Sequence, residues 1–253
     1  MRFASLGSGS RGNALVVEAG ATRLLLDCGF GPKEMERRLG RLGLTPGDID
    51  AVFITHEHTD HIGGAVACGR RFSWPIHLTH GSGNALRGEA TAVLKTIDSH
   101  VAIEFGDIHV EPYPVPHDAR EPVQYVFSDG VSRLGVLTDA GESTPHILGM
   151  LTGCNALVLE CNHDLEMLSR GSYPWTLKQR ISGRLGHLDN HMAAGVLRHI
   201  DVSRLRHVVA AHLSAENNHP DLARGALADA LNCSTDWIGV ATQSEGTPWL
   251  NVS

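Results

Sequence analysis

The chain has 253 residues, 42% of them hydrophobic, so it can bury a sizeable core and is not a disordered polymer. Its formal net charge of -7 argues against a general polyanion-binding surface, though not against a nucleic-acid substrate reached through metal cations. Five cysteines, an odd number with no Cys-x-x-Cys pair, read as reduced, mostly buried thiols of a cytoplasmic protein, and no apolar run has the length of a signal peptide core or a membrane span.

Asn13 to Gly29 carries two β-rich runs around Ala-Gly-Ala, a predicted hairpin. Pro32 to Gly43 opens with a residue favoured at the first helical position and places Met35, Leu39 and Leu42 on one face, so a helix is expected. Ala51–Thr55 is a continuous apolar run, typical of a strand buried on both faces, and it delivers His56 at its carboxyl end. Further strands are predicted at Ile76–Leu78, Val101–Phe105, Ile108–Glu111, Gln124–Phe127, Arg133–Thr138, Ala156–Glu160, His207–Ala211 and Trp237–Ala241. Helices are predicted at Thr144–Leu151, Thr176–Leu185, Asn190–Ile200 and Asp221–Leu231. Antiparallel strand pairs come first and strand–helix alternation follows. With no linker or repeat, residues 1–253 read as a single α/β domain of two mixed sheets with helices outside.

The stretch "FITHEHTDHIGG" follows the buried strand and crowds ionisable groups into one loop. His56 and His58 are two apart and point the same way on extended chain. Asp60 and His61 follow as the chain turns at Gly63-Gly64, so they face a second point nearby. Glu57 alternates out of this set towards solvent. Histidine and aspartate are the usual ligands of zinc and similar ions, so one loop can offer two ligands to each of two ions. Those four cannot complete two sites. Three other predicted strands end in an ionisable residue where open α/β folds place their sites: His117 after "YPVP", Asp139 after "RLGVLT" and His212 after "HVVAA". Any one alone reads as a strand-end cap, but four loops share the pattern.

T-H-x-H-x-D-H, a lone His, an Asp after "LT" and a late His resemble the metallo-β-lactamase superfamily. The resemblance implies an αββα sandwich with the site at one edge of two sheets. It also implies His56, His58 and His117 on one ion, Asp60, His61 and His212 on the other, and Asp139 bridging them. "GSGSRGN", "LVLECNHD", "YPWTLKQRI", "GHLDN" and "HLSAENN" are similar to the YycJ/WalJ group of bacterial exonuclease-like proteins, a likeness that runs to about Asn218. Cys161 and Asp189 depart from the usual form of that group, and neither replaces a proposed ligand.

Glu160 ends a predicted strand and His187 precedes a helix start marked by Asp189-Asn190. A carboxylate beside an imidazole fixes its tautomer and raises its pKa, which suits a general acid, and equally describes a structural hydrogen bond. In the related ribonuclease Z such a pair is a dyad, which implies a proton donor here. Possible substrate contacts are Ser8, Ser10 and Asn13 in the glycine-rich turn, His163, and Ser214, Asn217 or Asn218 in "HLSAENN"; plain turns and caps are the simpler readings. Arg37, Arg38 and Arg41, and Lys178, Arg180 and Arg184, form modest basic clusters. Together these imply a cytoplasmic enzyme with two divalent ions, zinc or else manganese, in which metal-activated water attacks a phosphodiester. Asp60 would orient the water, and the substrate would be DNA, degraded 5′ to 3′, ahead of RNA. The rivals are a thioester or lactone hydrolase of the same fold and a metal-binding regulatory module without chemistry. Oligomeric state has no signature in the sequence.

Overall fold

Continuous apolar runs such as Ala51–Phe53 and Ala156–Leu159 point successive side chains to opposite faces, so both faces are buried and layers are needed on either side. The computed structural model describes residues 1–86 and 93–252. One sheet is built from β1 (Arg2–Gly7), β2 (Ala14–Ala19), β3 (Thr22–Leu26), β4 (Ala51–Phe53), β5 (Ile76–Thr79) and β6 (Leu94–Ile97), hydrogen-bonded in that order. The other follows the same rule with β7 (Ile103–Phe105), β8 (Ile108–Pro114), β9 (Val123–Ser128), β10 (Arg133–Leu137), β11 (Ala156–Glu160), β12 (His207–Ala211) and β13 (Ile238–Val240). The short β14 (Leu250–Asn251) completes the first sheet beside β1. Each sheet is antiparallel over its early strands and parallel over its later ones, the change falling at β3 and at β10.

The helices are α1 (Pro32–Arg41), α2 (Thr59–Ile62), α3 (Ala65–Phe72), α4 (His80–Ala85), α5 (Pro145–Leu151), α6 (Leu165–Arg170), α7 (Trp175–Ile181), α8 (Asn190–His199) and α9 (Pro220–Leu231). Three apolar layers separate the four structural layers. Leu24, Leu26, Phe53, Tyr125, Phe127, Val136, Val158 and Val209 fill the space between the sheets. Their neighbours in sequence point the other way. Leu25 and Val52 pack with Met35 and Leu39 of α1, while Leu157, Leu159 and Val208 pack with residues of α5, α8 and α9. The αββα expectation holds.

The differences from the sequence reading lie in short or half-buried elements. β1 is missed because its apolar residues are few. β6 is missed because it is a half-exposed edge whose side chains alternate weakly. α2 lies inside the histidine cluster as a single turn, too short to show a helical period, and α3 follows it with only eight residues. The helix expected over Thr176–Leu185 stops at Ile181. There the chain folds back so tightly that a Cβ on Gly186 would stand 2.1 Å from the Ile181 carbonyl oxygen. His187 N–H then donates to that same oxygen at 2.8 Å, which turns the His187 side chain back over the sheet edge.

The carboxyl ends of β3, β4, β8, β10, β11 and β12 meet along one edge of the sandwich. The two sheets are tied there by Tyr125 Oη donating to Ile54 O at 2.8 Å and Val123 N–H donating to Thr55 O at 3.0 Å. Phe53 lies beneath this edge, fully buried, stacked on His77 and edge-on to Phe105 and Tyr125. Phe53→Ala should therefore lower the unfolding free energy by about 3–5 kcal/mol. Urea denaturation of metal-free protein checks this, and a loss below about 1 kcal/mol would show that the inter-sheet layer is not close-packed here.

Candidate metal centre

Each strand end turns its side chain towards the shared edge by a local device. Asp27, Asp139 and His212 follow β3, β10 and β12 with left-handed φ values of 61°, 53° and 54°. For residues with a Cβ this conformation is costly, and it persists only where the surroundings impose it. The other two such residues among those described, Ser73 and Asn232, are ordinary helix C-caps. The β4 loop adds His56 on extended chain and His58 as the N-cap of α2, with Asp60 and His61 inside that single helical turn.

The structure brings the sequence-derived candidates together. His56, His58 and His117 present ring nitrogens to one point, and Asp60, His61 and His212 present atoms to a second. Asp139 groups with both His56 and His61, between the two points. His117 Nε2 stands 3.2 Å from His58 Nδ1, Asp60 Oδ2 lies 3.3 Å from His212 Nε2 and 3.4 Å from His61 Nε2, and Asp139 Oδ2 lies 3.1 Å from His61 Nε2. Ligands about 2.0–2.1 Å from a tetrahedral zinc ion stand about 3.3 Å apart. His56 Nε2 is buried with no hydrogen-bond partner, and so is Asp139 Oδ2, whose approach to His61 has no hydrogen-bond geometry. Buried polar atoms are rarely left so, and these converge where a cation would satisfy them. The donor set fits divalent metal.

Outer contacts fix which ring nitrogen faces each point. His61 Nδ1 meets Asp27 Oδ2 at 2.7 Å, His56 Nδ1 meets Thr55 Oγ1 at 3.0 Å, His117 Nδ1 donates to Gly186 O at 3.0 Å, and His212 Nδ1 meets Glu160 Oε1 at 3.2 Å. His58 uses Nδ1 inward and has Asp118 Oδ1 3.8 Å from Nε2. Such partners set the tautomer and the basicity of the inward nitrogen. Burial by itself lowers the affinity of His61 and His212 for protons. The carboxylates around them outweigh it, holding His61 well above the usual histidine value and His212 up at about 10. The same anionic field attracts divalent cations.

Beside the ligand clusters, His187 Nδ1 meets Glu160 Oε1 at 2.8 Å. Glu160 is fully buried, and its Oε2 accepts from Ala140 N–H at 3.1 Å and Leu188 N–H at 3.2 Å. Burial would raise its pKa, but His187 and His212 bring it down to about 2. In turn Glu160 raises the His187 pKa against the opposing effect of burial. A pocket of about 330 Å³ opens over these groups, lined in part by Asp60, Asp139, Tyr173, Arg180, His187 and His212.

The residues offered as substrate contacts divide by position. Ser10 and Ser214 line the pocket. Ser8 and Asn13 lie behind it: Ser8 Oγ accepts from His212 N–H at 2.8 Å, and Asn13 Nδ2 donates to Asp60 Oδ2 at 3.2 Å. Asn217 is buried with its N–H on Ser214 Oγ, Asn218 is paired with Asn190, and His163 is buried beneath the edge with neither ring nitrogen bonded. Glu57 is not solvated as expected. Its Oε1 accepts from Arg120 N–H at 2.9 Å, and its side chain is 14% exposed. Arg38 and Arg41 are tied to Leu6 O under the glycine-rich turn, so these two brace the fold, while the exposed Arg37 pairs with Glu34.

Sequence reading missed Asp27 and Asp118. Asp27 ends an apolar strand, the same signal that marked Asp139, but the hairpin assigned to that stretch drew attention from its end. Asp118 simply follows His117. Removing Asp27 leaves His61 Nδ1 without its carboxylate, so Asp27→Ala should weaken divalent-metal affinity about 10–100-fold. Chelator competition with zinc, alongside unchanged far-ultraviolet circular dichroism, checks this. Wild-type affinity in that variant would show that Asp27 does not set the His61 ligand.

The chain matches the model of the β-lactamase superfamily domain over residues 22–212. It is 36% identical over 251 residues to the exodeoxyribonuclease YycJ of Bacillus anthracis, covering 98% of this chain and 95% of that one. It is 34% identical over 247 residues to the exodeoxyribonuclease WalJ of Streptococcus pneumoniae, covering 94% and 91%. The crystal structure of the metallo-β-lactamase fold protein YhfI from Bacillus subtilis superposes with a TM-score of 0.76 at 14% identity, over 99% of both chains, which speaks for the fold alone. With its histidine loop, its strand-end histidines and aspartates and its sandwich all in place, this chain belongs to the metallo-β-lactamase superfamily, in the group of YycJ and WalJ.

Proposed function

We propose that this chain is a dinuclear metal-dependent phosphodiesterase that degrades DNA from its 5′ end. The observation that carries the hydrolytic reading is the convergence of His56, His58, Asp60, His61, His117, Asp139 and His212 on two points beside a carboxylate-held imidazole. The names of YycJ and WalJ support DNA as the polymer, and the polar pocket lining favours a phosphodiester over a thioester or lactone. Five histidines and two carboxylates suit zinc, with manganese as the alternative. The four buried, unbridged cysteines suit a reducing cytoplasm, and among the described residues no helix is long and apolar enough to cross a membrane.

His56, His58 and His117 would hold one ion and Asp60, His61 and His212 the other, with Asp139 shared between them. Two such ions would polarise a phosphoryl oxygen and make water nucleophilic near neutral pH. Asp60 Oδ2 is steadied by Asn13 Nδ2, so it can orient the attacking water. His187 gives its Nδ1 proton to the hydrogen bond with Glu160, which directs Nε2 as the donor towards a leaving sugar oxygen. Glu160 suits this role because four donors keep it ionised without solvent. Arg180 Nε is tied to Asp118 Oδ2 at 2.6 Å on the pocket wall, where its guanidinium can meet a phosphate.

His187→Ala should retain both metal ions by elemental analysis yet slow DNA cleavage about 10²–10⁴-fold. An ester with a good leaving group, bis-p-nitrophenyl phosphate, should lose much less. Equal losses on both substrates would remove proton donation from His187. For the polymer itself, metal-loaded protein should release 5′-terminal nucleotides first from end-labelled duplexes, with Asp60→Ala as the control for contaminating nucleases. Release from the 3′ end, or no cleavage alongside rapid thioester hydrolysis, would overturn the assignment.

A further inference from the structure

A second concavity, of about 640 Å³, adjoins the metal pocket and shares Tyr173 with it. Its other walls come from α6 and α7: Leu165, Leu168, Ser169, Trp175, Lys178, Gln179 and Ser182. Trp175 is 57% exposed and Leu165 is 47% exposed, and neither belongs to any of the three apolar layers. Exposing an indole this far gains nothing for folding, because its apolar surface stays in water. No acidic side chain lines this groove, although the chain carries 28 acidic and 21 basic residues. The opposite case is the cleft between β7, β8 and β9, which is lined by Glu104, Asp107 and Asp129.

Lys178 supplies the charge. Its Nζ donates to Ser169 O and Gly171 O, both at 2.7 Å, which holds the ammonium in place and leaves one of its three N–H groups for a ligand. An aromatic platform, an anchored cation and no carboxylate are the features with which proteins hold single-stranded nucleic acid. From these, and resting on the nuclease reading above, we infer that the groove takes the unpaired strand next to the scissile phosphodiester, its bases stacked on Trp175 and Tyr173 and a phosphate on Lys178. The shared Tyr173 makes the path from groove to metal centre continuous. The groove thus favours a frayed or single-stranded end over a closed duplex, and it is indifferent to base identity because every base offers a π-face.

The test uses metal-loaded full chain and two probes with cleavage-resistant phosphorothioate linkages: a short fluorescent oligothymidylate and its abasic counterpart. Trp175→Ala should weaken oligothymidylate binding about tenfold, measured by anisotropy, and leave abasic binding within about twofold. Trp175→Phe should keep most of the affinity. Trp237→Ala, a 40% exposed tryptophan beside the amino end of β13, should match wild type. Equal losses on both probes, or wild-type affinity in Trp175→Ala, would overturn the groove assignment. So would a dimer that Trp175→Ala dissociates while oligothymidylate binding is unchanged, since the occupant would then be a second copy of this chain. Trp175-dependent binding without cleavage of any DNA would sink the nuclease reading and keep the groove. Cleavage of DNA without Trp175-dependent binding would do the reverse.

Discussion

The buried Asp27 carboxylate is the contact on which the site's geometry depends most. It accepts from Thr55 N–H at 2.9 Å and from Thr55 Oγ1 at 3.0 Å, and it meets His61 Nδ1 at 2.7 Å. Thr55 Oγ1 in turn contacts His56 Nδ1. One carboxylate therefore joins the end of β3 to the loop after β4 and orients a candidate ligand in each of the two clusters, His61 directly and His56 through Thr55. Its own left-handed backbone is tolerated because so many partners converge on it. An anion this deep would be costly without such partners, so its position and theirs are mutually required.

Glu160 is the corresponding node on the second sheet. Its Oε1 meets both the proposed proton donor His187 and the proposed ligand His212, while Oε2 accepts two backbone N–H groups. The sequence suggested a dyad, but the structure shows a hub in which the groups proposed for metal binding and for proton transfer share one carboxylate. A change at Glu160 thus cannot separate the two roles, whereas a change at His187 can. The tight return from α7 to His187 through Gly183 and Gly186 brings the imidazole to this edge, where Glu160 holds Nδ1 and the ring stacks on His212.

The net charge of -7 is spread unevenly, and this reconciles an acidic chain with the polyanionic substrate proposed for it. Arg38 and Arg41 are spent on backbone carbonyls near the glycine-rich turn, Arg184 pairs with Glu142, and Arg180 pairs with Asp118 beside the pocket. Lys178 and Arg180 of α7 line the groove and the pocket, so the cationic side chains that could meet phosphate stand at this edge.

The buried strands were legible in the sequence because both faces of β4, β10, β11 and β12 are apolar and each run ends on one ionisable residue. The residues proposed as ligands were legible as a pattern: any one alone reads as a strand-end cap, but the loops after β4, β8, β10 and β12 all carry histidine or aspartate. Whether Ser8, Asn13 and Asn217 would face the pocket or lie behind it was not legible, since a polar residue in a turn serves either purpose and only the packed neighbours choose. Asp118 and Tyr173 carry no local signal at all. Their places depend on α7 folding back against the loop after β8, a contact between residues about 60 positions apart in the chain. Local pattern and strand-end chemistry determined the layers and the candidate metal-binding residues. The outer shell, the hub at Glu160 and the groove on α7 were decided by tertiary structure, because they arise where segments distant in sequence meet and each side chain's role is set by what the other segment presents.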